Sequence, residues 1–286
     1  MFLFLVDAFS RGNFSGNPAG IALVENFPSK IEMQNLARYW NFPDFAFLKK
    51  IDEKNYEIKW FAPLDESPIC IHGTLAASHI IFENKISNCN KIHFLNNDIK
   101  IKASKFDSEI TLSLKKIKIE ESKKNLDSKK LFGIKKVEKI LEEKNSYIII
   151  LEKYEDVFNA TPNFEEIKKL DKRSVIITAP GFDNFDFCIR YFAPKAGVYE
   201  DPVCGSANCK VSSYWTQKLN KNKLTSFQAS KRSGIVNLEI KENFVLISGS
   251  SITVLKMKNF KNNDLTDIMT KSSDNFLIKK CNKKME

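Results

Sequence analysis

Two stretches of this chain follow one plan, and that repetition limits the fold more than any other feature. Residues 60–82, WFAPLDESPICIHGTLAASHIIF, and 191–215, YFAPKAGVYEDPVCGSANCKVSSYW, each run aromatic-Phe-Ala-Pro, a loop bearing acid and proline, a cysteine, small residues and an apolar helix. Counted from Cys70 and Cys204, Ser78 and Ser212 both stand eight residues on. Order, spacing and the following helix agree together, which predicts a duplicated unit.

Short apolar or alternating runs rich in β-branched and aromatic residues surround both copies. They predict strands over 2–6, 20–24, 46–49, 56–61, 91–94, 99–102 and 110–114, then over 146–151, 175–177, 185–192, 226–229, 234–240, 244–248 and 252–255. Helical periodicity predicts helices over 31–40 after Ser29, 74–82, 137–143, 164–170 and 206–219. The lysine-rich stretch KKIKIEESKKNLDSKK reads as a connection, dividing the chain into lobes of residues 1–117 and 118–286. The expectation is an α+β fold of two similar lobes with a cleft between them. Each lobe brings one strand-loop-helix junction to that cleft, and the free N–H groups and positive dipole end of such a junction seat a carboxylate.

Composition removes several function classes. With 286 residues, 43% of them hydrophobic, the chain can bury a large core. The opening MFLFLVDAF has no basic segment before its short apolar run and is interrupted by Asp7, so no export signal and a cytoplasmic location are expected. Nothing approaches the roughly 18 uninterrupted apolar residues of a membrane helix. The net charge of +10 is lysine spread along the whole chain rather than arginine clusters, so it reads as a solvated surface and not as a nucleic-acid interface. Six scattered cysteines, Cys70, Cys89, Cys188, Cys204, Cys209 and Cys281, make no disulfide framework. Neither Cys70-x-His72 nor Cys204-x4-Cys209 has a usual zinc spacing, so no metal is expected. No GxGxxG follows a strand, and no glycine-rich loop ends in Lys-Ser or Lys-Thr.

Four segments, VDAF…FSGNPAG (6–20), NFPDFAFL (41–48), CIHGTLAA (70–77) and EDPVCGSA (200–207), resemble in order and spacing the signatures of the PhzF-like, phenazine-biosynthesis-like proteins. That family belongs to the wider diaminopimelate-epimerase fold. The resemblance implies two pseudo-symmetric lobes, each a β-barrel-like sheet around a central helix. It also implies a homodimer with a cofactor-independent isomerase site in the cleft, acting on a small carboxylic acid. In well-understood members the reaction is a proton shift on dihydro-hydroxyanthranilic acid by a glutamate in Ser-Glu-Thr-Ala-Phe; the matching acid here is Asp44, in Pro43-Asp44-Phe45-Ala46-Phe47. An aspartate is one methylene shorter, and proton transfer needs contact of roughly 2.6–3.2 Å. It also needs burial to lift it from an ordinary value of about 3.9.

The same resemblance makes His72 a substrate-positioning or proton-relaying residue and Asp201 a hydrogen-bonding partner of the substrate. It places Asn17, Gly73, Thr74, Gly205 and Ser206 among the substrate-binding positions. Ile71 stands where the family has glycine, and Cys204 where it usually has threonine. Cys70 and Cys204 fall where diaminopimelate epimerase and proline racemase hold opposed thiols, so a two-thiol racemase or epimerase is the alternative reading. Helix mouths lower a thiol's pKa, although Asp201 opposes that effect. A catalytically silent binding protein on the same scaffold is the third. Plain structural roles compete throughout: a loop aspartate, an N-cap serine, buried apolar cysteines.

Overall fold

The computed structural model describes residues 1–107 and 109–257. Cys281, with the rest of 258–286 of the expected C-terminal lobe, lies outside the described residues. The first copy runs β1 (Phe2–Ala8), β2 (Asn17–Val24), α1 (Lys30–Trp40), β3 (Asp44–Lys50), β4 (Asn55–Phe61), β5 (Glu66–Ser67), α2 (Ile71–Glu83), β6 (Lys91–Asn96), β7 (Ile99–Phe106), β8 (Glu109–Lys115) and β9 (Glu120–Glu121). A short helix α3 (Ser128–Phe132) leads into the second copy. That copy runs β10 (Lys139–Glu142), β11 (Ser146–Ile150), α4 (Tyr154–Phe158), α5 (Phe164–Lys169), β12 (Ser174–Pro180), β13 (Phe187–Phe192), α6 (Gly205–Leu219), β14 (Lys223–Gln228), β15 (Gly234–Ile240), β16 (Phe244–Gly249) and β17 (Ser251–Met257).

Both copies pair their strands in the same way. β2 lies parallel to β3 and β4 to β6, as β11 does to β12 and β13 to β14. A parallel neighbour cannot be reached by a tight turn and needs a crossover, which is where the helices sit. Alternation along the strands then divides the core. Ala46 and Leu48 of β3 join the cluster around α2, while Phe45 and Phe47 face Met33 and Leu36 of α1. On β11, Ile148 and Ile150 join the cluster that holds Val211 and Trp215 of α6, and Tyr147 and Ile149 face Val157 and Ile167 of α4 and α5. Eleven of the thirteen residues of α2 are buried, as a helix enclosed by sheet on all sides requires. α6 buries one face, with Trp215 stacked on Phe187 at 5.7 Å and its Nε1 donating to Thr178 Oγ1 at 3.0 Å. The fold is α+β with two copies of one plan, as the repeat predicts.

Two features were not legible in the sequence. The periodic Val137, Ile140 and Leu141 predict a helix over 137–143, but the structure has β10 there, antiparallel to β11 with Ile140 opposite Ile149. Both faces of a four-residue strand can be apolar when cores lie on either side, and Leu141 and Ile140 pack into different clusters. The copies also exchange their last strands: β9 pairs with β10, the first strand of the second copy, and β17 pairs with β1, the first of the first. Ser251–Met257 thereby joins the sheet around α2, on the far side of the boundary expected at 117/118. β8 and β16 join the two copies directly, Leu112 opposite Ile247. No helix among the described residues is long and apolar enough to cross a membrane.

The two central helices meet at their N-termini. A Cβ on Gly205 would lie 2.5 Å from Ile71 Cγ2 and 2.9 Å from Ile71 Cβ, so the bare backbone of one helix mouth receives the side chain of the other. Ile71, where the family pattern has glycine, is accommodated because Gly205 carries no side chain. Gly205→Ala is expected to destabilise the fold by about 1–3 kcal/mol in denaturant unfolding, overcoming the helix propensity gained. Ile71→Gly in the same chain should relieve the clash and give a favourable coupling between the two changes. A neutral Gly205→Ala would show that the helices do not approach this closely.

Candidate active site

Cys70 caps α2 with its own thiol, accepting the Gly73 N–H at 3.2 Å. Gly73 makes this possible, since a Cβ there would lie 2.9 Å from the sulfur. Thr74 Oγ1 donates to the Cys70 carbonyl at 2.6 Å, so this hydroxyl serves the cap. The buried His72 places Nδ1 at 3.5 Å and Nε2 at 3.8 Å from Cys70 Sγ. α6 repeats the arrangement with different groups. Cys204 Sγ lies 3.3 Å from Ser206 Oγ, and Asn208 Nδ2 donates to the Cys204 carbonyl at 2.9 Å. Ser67-Pro68-Ile69-Cys70 thus matches Asp201-Pro202-Val203-Cys204, pairing Ser67 with Asp201, His72 with Ser206 and Thr74 with Asn208.

Asp44 opens β3, brought there by the left-handed C-cap of α1 at Asn41 (φ 51°). Strand register identifies its counterpart. Phe45 faces Phe61 and Val175 faces Phe192, and Phe61 and Phe192 match in the repeat, so Asp44 corresponds to Ser174. Acid and serine have changed places between the copies: the first carries Asp44 and Ser67, the second Ser174 and Asp201. Ser67 Oγ donates to Asp44 Oδ1 at 2.6 Å. Asp201 is held across the lobe boundary by Asn17 of β2, whose Nδ2 donates to Asp201 Oδ1 at 2.6 Å and to the Val203 carbonyl at 3.0 Å. Gln228 supports the same loop, donating to the Asp201 carbonyl at 3.1 Å and accepting the Cys204 N–H at 3.3 Å. Asn17 Oδ1 and Trp60 Nε1 are buried with no hydrogen-bond partner among the described residues, the kind of atom that a ligand or ordered water satisfies.

Protonation follows from this enclosure. Burial lifts Asp44 to about 6 against hydrogen bonds from Ser67 and Cys70 and the charge of Arg173, all of which favour the carboxylate. Burial lifts Asp201 to about 7; the charge of Asp44 adds to this, and hydrogen bonds from Cys204, the Val203 backbone and Asn17 oppose it. Both thiols are pushed above their ordinary range, Cys70 by burial and then Asp44, Cys204 by burial and then Asp201. The helix-mouth lowering expected of these cysteines is therefore overridden by desolvation and a neighbouring carboxylate. His72 is pushed down to about 3 by burial and stays a neutral imidazole. Near neutral pH the site offers two carboxyl groups in the range where protons exchange, two thiols that act as donors, and an uncharged ring.

All ten residues singled out in the sequence lie at or beside the two helix mouths. Asp44, Cys70 and His72 form one group and Asn17, Asp201, Cys204 and Ser206 another; Gly73 and Gly205 make room for Cys70 and Ile71, and Thr74 braces the cap. Ser67, Gln228 and Arg173 escaped sequence reasoning. Ser67 could have been found by aligning the repeat backward from each cysteine. The other two come from distant elements and carry no local signal.

The sequence profile described as phenazine biosynthesis-like protein matches residues 6–257. A protein of Halalkalibacterium halodurans named as an uncharacterized isomerase is 33% identical over 258 residues, covering 89% of this chain and 96% of that one. The structure of a PhzF-family phenazine biosynthesis protein from Enterococcus faecalis superposes with a TM-score of 0.85 at 32% identity, over 91% of this chain and 99% of the other. A hydroxyproline epimerase from Agrobacterium vitis, 9% identical over 90% of this chain and 91% of its own, has a TM-score of 0.60 and shares the fold. Matched along nearly its whole described length, the chain belongs to the phenazine biosynthesis-like (PhzC–PhzF) family and is an isomerase built on the epimerase fold.

Proposed function

We propose that this isomerase moves a proton on a small carboxylic acid bound between the mouths of α2 and α6, with Asp44 as the acid/base. The observation that carries this reading is a carboxyl group lifted to about 6, fixed by Ser67 and near enough to the Asp201 carboxyl for its charge to raise that group. A general base works best when its pKa lies near the operating pH, because it is then both ionised and able to hold the proton it takes. Cys204 makes no side-chain cap on the fifteen-residue α6, and the Gly205 and Ser206 amides at its mouth receive the substrate carboxylate. Asp201, held by Asn17, orients a substrate hydroxyl or amino group, and neutral His72 positions the ligand without adding charge. No cofactor is required for a proton shift between two such carboxyls.

The two-thiol alternative has one observation in its favour, the same placement of Cys70 and Cys204 at the two helix starts. Against it, thiols raised by burial and by an adjacent carboxylate stay protonated near neutral pH, leaving little thiolate to take a proton.

Asp44→Asn decides the main reading. Incorporation of solvent deuterium into a panel of small carboxylic acids should fall by about 10²–10⁴-fold, and retained exchange would remove Asp44 from the mechanism. The same variant should be more stable than the native chain at alkaline pH. The folded-state value of Asp44, about 6, lies above its ordinary 3.8, so its contribution to stability is full below 3.8 and is lost as pH rises through about 6. Asparagine has no charge to bury. The stability difference should therefore be near zero at pH 3, open between pH 4 and 6 and level off above, measured by thermal unfolding. Cys204→Ser separates the two readings: proton transfer by Asp44 predicts a loss of less than about tenfold in deuterium exchange, whereas a two-thiol mechanism predicts about a hundredfold or more.

A further inference from the structure

Among the described residues, Asp44, Cys70 and His72 bring a carboxylate oxygen, a sulfur and a ring nitrogen to within 4.8 Å of one another. The sequence expectation of no metal rested on spacing along the chain, and Cys70-x-His72 alone is indeed no zinc motif. The third group arrives on β3, an element that spacing cannot connect to α2. From this geometry we propose that the site also binds a zinc-class divalent cation through Cys70 Sγ, a His72 ring nitrogen and an Asp44 carboxylate oxygen.

Three physical features support it. The first is distance: with metal–sulfur and metal–nitrogen bonds of about 2.3 and 2.0–2.1 Å, the sulfur–nitrogen edge of a tetrahedron is about 3.6 Å. Cys70 Sγ and His72 Nδ1 already stand 3.5 Å apart. The longest edge, at most 4.8 Å, need contract by no more than about 1.2–1.5 Å. The second is charge, because one thiolate, one carboxylate and a neutral imidazole leave a divalent ion electrically neutral, the state that a buried site favours. Metal replaces the Cys70 proton, which leaves as H⁺ when the sulfur–metal bond forms. The third is support around the ligands: Ser67 Oγ holds Asp44 Oδ1 at 2.6 Å and the Gly73 N–H holds Cys70 Sγ at 3.2 Å. Outer contacts of this kind fix the orientation of ligands. Three protein ligands leave a fourth position open, as in sites where a metal exchanges. A cation on Asp44 draws electron density from the carboxylate and makes it a much weaker base, so if Asp44 is the acid/base, occupancy switches the isomerase site off.

The proposal does not rest on the proton-shift reading, and metal titration tests it without any substrate. Full-length protein freed of metal is titrated with Co²⁺ alone, then with Zn²⁺. One Co²⁺ per chain with a thiolate-to-cobalt charge-transfer absorption, displaced by Zn²⁺, is the expected result. Cys70→Ser should abolish the absorption, Cys89→Ser should keep it, and Ser67→Ala should weaken binding by about tenfold or more. Should Cys70→Ser fail to fold, alkylation of the native chain followed by mass spectrometry takes its place, with Zn²⁺ expected to protect Cys70. No charge-transfer absorption, an absorption that survives in folded Cys70→Ser, or a Cys70 alkylated equally with and without Zn²⁺ would each overturn the proposal. Any of these outcomes leaves the role of Asp44 in metal-free deuterium exchange as it stands.

Discussion

Ionisable groups at the centre of this protein are removed from water by the contact of two helix mouths, and the chemistry depends on that removal. Ile71 rests where Gly205 has no side chain, which draws the N-termini of α2 and α6 together. The loops before the helices then enclose Asp44 and Asp201. In water these would be ordinary acids; held here, burial lifts them to about 6 and about 7. The same enclosure keeps the thiols protonated and the imidazole neutral, reversing what helix dipoles alone would do to a cysteine.

Duplication explains how such a site is built, and the differences between copies explain why it is usable. Perfect symmetry would place either two acids or none at each pair of equivalent positions. Instead, Asp44 faces Ser67 in one copy, while Ser174 and Asp201 exchange those types in the other. Each copy thus contributes one carboxyl group and one hydroxyl. Four carboxyls in so small a volume could not all ionise, since like charges in a desolvated site raise one another's pKa. The exchange of β9 and β17 between copies ties the lobes together by hydrogen bonds at their outer edges. Asn17 does the same at the site, joining β2 to the acid of the opposite lobe.

Much of the fold was readable because local chemistry and tertiary position agree. The alternation in 56–61 and 234–240, the Ser29 cap and the apolar helix after Cys70 each describe an element that the sheet and core then use. Reading failed where a segment's environment decides its form. Val137, Ile140 and Leu141 have helical spacing, but β11 offers an open edge with cores on both sides, and pairing to it outweighs propensity. Family motifs pointed to residues that gather at the two helix mouths, yet they could not show that the Thr74 hydroxyl turns inward to the Cys70 carbonyl or that Ser67 holds Asp44.

By itself the sequence determined that there are two copies of a strand-loop-helix unit, each with a cysteine at its helix start, because period, turn residues and apolar runs are local properties. It also determined that Asp201 stands just before the second of those starts. Tertiary structure alone decided which acid meets which thiol, what each is protonated as, and that three groups from β3 and the mouth of α2 converge within 4.8 Å of one another. Those properties depend on distance and on exclusion of water between segments far apart in the chain, and no local pattern of residues encodes either.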